Sequence, residues 1–151
     1  MRRSFLLAVL CLMVPTLAGG QSRVVPYDYR ADLLTRHNQL RQANGRAGLV
    51  LDERLNRVAQ RHAQNMARQG RMDHVLDGQG VGERVCAEGL CRLAVGENIA
   101  MGQRDAGRVT ASWWASPGHQ ANILGAGWSR VGFGYWRDPA GRAWWCAVFA
   151  R

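Results

Sequence analysis

Apolar positions change period from one end of this chain to the other. Leu33, Leu34, His37 and Leu40 recur at helical spacing ahead of Asn44-Gly45, which predicts a first helix over residues 28–44. A clearer amphipathic stripe follows. Leu55, Val58, Ala59, Ala63, Met66 and Ala67 share one helical face, with Asp52 placed to cap the helix and Gly70 to end it. From Asp77 to Glu83 there are three glycines and no apolar period, so an irregular loop is expected to run on into the segment holding Cys86 and Cys91. Apolar residues return on both sides of Gly96-Glu97-Asn98. Asp105 then opens a third helix through Val109 and Trp113, and Ser116-Pro117 starts a short helix over residues 119–124. The Ser116 hydroxyl can accept from a free amide of the first turn, and Pro117 lacks the N–H that this turn would leave unpaired.

Beyond Gly125 and Gly127 the period becomes two. Val131, Phe133 and Tyr135 alternate with other residues, and residues 143–149 are again rich in strand formers. Asp138-Pro139-Ala140-Gly141 lies between them with Pro second and Gly fourth, as a type I turn prefers, so a C-terminal antiparallel hairpin is predicted. The whole reads as α+β.

Length limits the chain to one core: 151 residues with 47% hydrophobic content leave no room for a second domain. Met1-Arg2-Arg3, the apolar residues 5–14 and Thr16-Leu17-Ala18 have the basic, apolar and small-residue order of a secretory signal peptide over 1–18, with cleavage as late as 20. Residues 19–29 would then be a leader and 30–151 the domain. A lipoprotein anchor at Cys11 competes with this reading, but the apolar stretch before that cysteine is very short. No later stretch approaches the length of a membrane span.

All 20 basic side chains are arginine, against 11 acids, for a net charge of +9. Such a charge favours anionic envelope polymers, lipid headgroups or nucleic acid at long range. The arginines are nevertheless dispersed from Arg23 to Arg151 with no interleaved aromatic patch, so no dedicated nucleic-acid site is read. In an oxidising compartment Cys86 and Cys91 are the first choice for a disulfide, Cys91 with Cys146 remaining the alternative. The cysteine spacing does not form a zinc knuckle.

Candidate chemistry rests on histidines and one acid. His37 lies on the apolar face of the first helix and reads as a core residue bonded to a backbone carbonyl; His62 borders the second stripe and reads as packed or half-exposed structure. His74 differs, because it follows the second helix in a loop where no packing period accounts for it. His119 falls in the first turn of its helix, where the positive end of the dipole disfavours imidazolium. Glu97, set among apolar neighbours, must be hydrogen-bonded or paired to stay charged; it caps backbone amides, faces an imidazole, or does both.

His37-Asn38 with Arg41, the second-helix stripe with His62, His74, Gly96-Glu97-Asn98-Ile99-Ala100, Trp113 with Ser116-Pro117-Gly118-His119 and Asn122, Val131-Gly132-Phe133-Gly134-Tyr135 and Trp145 with Val148-Phe149 together resemble the bacterial branch of the CAP superfamily. That superfamily contains the cysteine-rich secretory proteins, antigen five and the plant pathogenesis-related proteins, and its module is also called the SCP domain. The resemblance spans about residues 30–150. It implies an α-β-α sandwich with a small antiparallel sheet between helical layers, and a central cleft whose matching positions here are His74, Glu97 and His119. Many eukaryotic members carry a second Glu three residues after the tryptophan matching Trp113; here that position is Ser116, which is counted with the cleft. The eukaryotic cysteine framework is absent, and Cys146 stands where bacterial relatives commonly have a polar residue.

Two imidazoles, His74 and His119, with a carboxylate suit a divalent cation such as zinc, although the reading requires no cofactor. The expectation is a secreted, monomeric binding module for a lipid or sterol, an envelope polymer or a protein. The alternative is a metal-dependent hydrolase or peptidase using His74, Glu97 and His119.

Overall fold

The computed structural model describes residues 27–151. The signal peptide expected over 1–18 and most of the expected leader lie outside these residues. The first helix, α1 (Tyr29–Ala43), starts where Asp28 accepts the amides of Arg30 and Ala31. A two-residue strand, β1 (Val50–Leu51), leads into α2 (Glu53–Gln69), which Asp52 caps through the amides of Arg54 and Leu55. Gly70 ends α2 in a left-handed conformation that disfavours side chains.

The expected irregular loop over 77–83 is corrected by the structure, because α3 (Val81–Ala87) begins inside it. Glycines conceal this start. Glu83 reaches back to accept the Gly80 amide at 2.9 Å, and Val85 anchors the short helix by burial against α2. A disulfide between Cys86 and Cys91 holds the end of α3, and Cys146 is free and buried. There follow β2 (Val95–Met101), α4 (Ala106–Trp114), α5 (Pro117–Ile123), β3 (Arg130–Arg137) and β4 (Ala143–Ala150). The β3–β4 hairpin closes as its sequence predicts, with the Gly141 amide bonded to the Asp138 carbonyl at 2.8 Å.

The sheet order is β1-β3-β4-β2, antiparallel except for the short parallel pairing of β1 with β3. β4 is buried along its entire length and divides the core in two. Trp145 and Phe149 point into one layer with Leu33, Val109, Trp113 and Ile123, from α1, α4 and α5. Trp144, Cys146 and Val148 point into the other with Leu55, Val58, Met66 and Val85, from α2 and α3. This is an α-β-α sandwich.

Alternation in β3 allows α2 to approach closely. Gly132 and Gly134 face that helix, and a Cβ on either would fall 2.1 Å from the Leu55 carbonyl carbon or 2.2 Å from that of Ala59. Beyond the end of β1 the open edge of β3 is closed by side chains: Asn56 accepts the Phe133 amide at 2.8 Å, and Gln60 both accepts from and donates to Tyr135.

Candidate functional site: a buried carboxylate at the sheet edge

β2 is an edge strand, and Val95, Glu97 and Ile99 alternate toward the α2–α3 layer. Glu97 therefore enters that layer with its side chain only 2% exposed. There it meets four groups. His74 donates from Nδ1 to Oε1 at 2.8 Å, and Arg84 of α3 makes a short ion pair with Oε2. The Cys146 thiol donates weakly to Oε2 at 3.5 Å. His62 Nε2 is 3.8 Å from Oε1. Of the two readings of Glu97, the structure selects the one in which it faces an imidazole.

Charge in this cluster follows from these contacts. Burial raises the Glu97 pKa, but the His74 bond and the Arg84 charge outweigh it, and the carboxyl ends below its ordinary value. His74 is pushed up by its bond to Glu97 against some desolvation. His62 is pushed down, chiefly by burial and only partly offset by Glu97. The Cys146 thiol is raised well above its usual range by burial and by the neighbouring carboxylate, so it stays protonated.

His119 belongs to α5, in the other layer. Its third place in α5 matches the sequence reading, and the Asn98 side chain donates to its backbone carbonyl at 3.0 Å. The imidazole is partly exposed, with its pKa lowered by burial and by the charge of His74. Ser116 precedes the helix as its cap residue, but its hydroxyl makes no capping bond; the Ser116 carbonyl accepts the Gln120 amide instead. That corrects the capping role expected for the hydroxyl. Asn122 fixes α5 against β2 through the Glu97 carbonyl and the Asn98 side chain.

Two participants escape the sequence reading. His62, expected to be packed or half exposed, is fully buried beside Glu97. Arg84 lies in the segment read as irregular, yet it holds Glu97 and also donates to the His74 and Gln79 carbonyls. The signal for it is the requirement that a carboxylate among apolar residues find a cation. His37, by contrast, is the core histidine its position suggests: buried and bonded from Nδ1 to the Leu33 carbonyl at 2.8 Å.

Among the described residues no group of three or more His, Cys, Asp or Glu is arranged to hold a metal ion. Glu97 has one oxygen on His74 and the other on a guanidinium, which leaves two imidazoles and an adjacent positive charge. Catalytic zinc sites ordinarily use three protein ligands, and the residues present do not supply them. No helix among the described residues is long and apolar enough to cross a membrane.

The model of the cysteine-rich secretory protein family, CAP, matches residues 34–149. The chain is 32% identical over 121 residues to the uncharacterized protein YkwD of Bacillus subtilis, covering 80% of this chain but 46% of that relative, so it spans about half of the relative's length. An outer surface protein from Borrelia burgdorferi superimposes with a TM-score of 0.75 at 20% identity, covering 80% of this chain and 90% of that one. An extracellular protein containing an SCP domain from Bacillus anthracis gives a TM-score of 0.75 at 22% identity, over 82% of this chain and 40% of that one. At such identities the solved structures share the fold.

Proposed function

Because the chain belongs to the cysteine-rich secretory protein (CAP) family, we propose that it acts as an exported ligand-binding module whose cleft is formed by His74, Glu97, Ser116 and His119. One observation carries this reading. Glu97 is clamped between Arg84 and His74, so the imidazole is oriented from Nδ1 and presents its other nitrogen outward with a raised pKa. The more firmly that ring is held protonated, the better it serves as a hydrogen-bond donor and the worse as a general base. His119, partly exposed and with its pKa lowered by burial and by the charge of His74, offers a second ring donor or acceptor. Such a cleft suits a ligand bearing oxygen acceptors, as a lipid headgroup, an envelope polymer or a peptide segment does. Export is supported by the basic, apolar and small-residue order of residues 1–18 and by the extracellular description of the Bacillus anthracis protein.

Hydrolysis is the second reading, favoured by the orientation of His74 on a buried carboxylate, an arrangement shared with general bases. Against it, the Ser116 hydroxyl makes no hydrogen bond to His74 or His119 among the described residues, and the donor set falls short of a catalytic zinc site. No step through a metal is derived. Retention on lipid, glycan and peptide arrays at physiological salt tests both readings. Binding that His74→Ala and His119→Ala each reduce supports the module; retention unchanged in both variants refutes the cleft. Turnover that His74→Ala abolishes, with the circular dichroism spectrum intact, would replace binding by hydrolysis.

A further inference from the structure

Beside Arg84, α2 and α3 border a groove of about 620 Å³. That volume lies within the range of small-ligand sites. Arg61, Gln64, Asn65 and Arg68 line it at intervals of three and four, so they form one row along α2, the amides half-buried and the arginines exposed. The two arginines are seven residues apart, which places their Cα atoms roughly 10 Å apart along the helix. Both side chains are largely exposed, at 56% and 74%, and the pairing of Arg68 with the exposed Asp77 is a surface ion pair of little strength. Arg61 pairs with Glu88, a largely buried carboxylate that Arg57 also holds, so Glu88 keeps a partner when Arg61 turns to a ligand.

His62 and Arg84 back the groove, their side chains 0% and 10% exposed. His62 Nε2 lies 3.8 Å from Glu97 Oε1, inside the protein, so recognition falls to the row on α2.

We propose that this α2–α3 groove is a second binding site, distinct from the His74–His119 cleft, and that it takes a hydroxyl-rich oligosaccharide carrying widely spaced carboxylates. Charge placement decides the class. Of the charged residues that line the groove, Arg61, Arg68 and Arg84 stand against Glu88, and Arg84 is already held by the buried Glu97, which leaves two exposed guanidiniums separated by the uncharged Gln64 and Asn65. A dense polyanion would place charge opposite those amides, where no cation meets it. A glycan with an acid on alternate sugars meets one arginine, then the Gln64 and Asn65 amides, then the next arginine. Its hydroxyls can donate to Glu88 and accept from the amides.

Calorimetry of the protein with a hyaluronan tetrasaccharide, chitotetraose and inorganic tetraphosphate at physiological salt tests the assignment. Binding of the acidic tetrasaccharide tighter than about 1 mM is expected, with Arg61→Ala/Arg68→Ala weakening it roughly tenfold or more. His119→Ala, which changes only the other cleft, should leave that affinity unchanged, and this separates failure here from failure of the cleft. Both arginines are at the surface, so the double variant should keep its unfolding midpoint. No binding of the acidic tetrasaccharide overturns the proposal. So does equal binding by the double variant, by chitotetraose or by tetraphosphate.

Discussion

Replacing Arg84 by Met would leave the Glu97 carboxylate buried, with His74 as its remaining strong partner. Arg84 is 10% and Glu97 2% exposed, so water does little to compensate the lost charge. Removing one member of a buried ion pair costs about 3–5 kcal/mol, most of it the penalty on the carboxylate left behind. Arg84 also holds the carbonyls of His74 and Gln79, which places the expectation in the upper half of that range. For a domain of this size the melting temperature should fall by on the order of 10–20 °C. Thermal and urea unfolding of Arg84→Met, Glu97→Gln and the double variant form the assay. Because Glu97→Gln removes the orphaned charge, the double variant should regain about 2 kcal/mol relative to the sum of the singles. Titration of the His74 ring by NMR gives an independent readout: Arg84 holds the His74 pKa down, so in Arg84→Met it should rise further. A loss below about 1 kcal/mol, or strict additivity of the two substitutions, would refute the view of Glu97 as a buried, charge-compensated group.

Acid should weaken the fold through its inner histidines. Burial pulls the His37 pKa down to about 4 from 6.5, so its contribution is complete above pH 6.5 and is lost as pH falls toward 4, by about 3 kcal/mol; urea midpoints at pH 7, 5.5 and 4 should show it, and a flat profile would contradict it. His62 is depressed in the same sense, whereas His74, whose pKa is raised, contributes below pH 6.5 and loses that contribution as pH rises through its folded value. Gly132→Ala or Gly134→Ala should cost about 3 kcal/mol or more, or prevent folding, because the new methyl meets α2 backbone and no flexible side chain can yield; a variant melting within a few degrees of the parent would disprove so close a contact. Cys86→Ser/Cys91→Ser should lose about 2 kcal/mol of stability in oxidising buffer, read as a lower urea midpoint, and the parent in reductant should lose the same amount.

Elements with both a period and punctuation can be read directly. α2 has a stripe, an aspartate cap and a terminal glycine, and the hairpin has alternation before a Pro-Ala-Gly turn and a run of strand formers after it. The structure keeps all of these. α3 cannot be read in the same way, since seven residues make too short a window for a helical period and Gly80 and Gly82 stand where turn signals stand. The same failure hides Arg84. Its role depends on a contact with Glu97 across 13 positions that only the docking of α3 on β2 creates. His62 is legible as structure but not as a neighbour of Glu97, because that needs the face toward which β2 turns its odd-numbered residues. Ser116 shows the reverse: the Ser-Pro signal correctly marks the start of α5 while the side-chain bond that usually explains it is not made.

The position of β4 sets an order of assembly. It is the shared neighbour of β2 and β3 and the wall on which both helical layers rest. Its register with β2 joins residues about fifty positions apart, from Val95 with Ala150 to Met101 with Trp144. Until residues 143–150 have emerged from the ribosome, β2 has no strand to pair with, β3 has only its two-residue contact with β1, and neither half of the core has a floor. Local helices can flicker in such a nascent chain, but the loop-closure entropy of the long pairing has still to be overcome. Folding is therefore an event that follows synthesis of the final strand, and a chain broken before it should behave as an unfolded polypeptide rather than as a smaller domain.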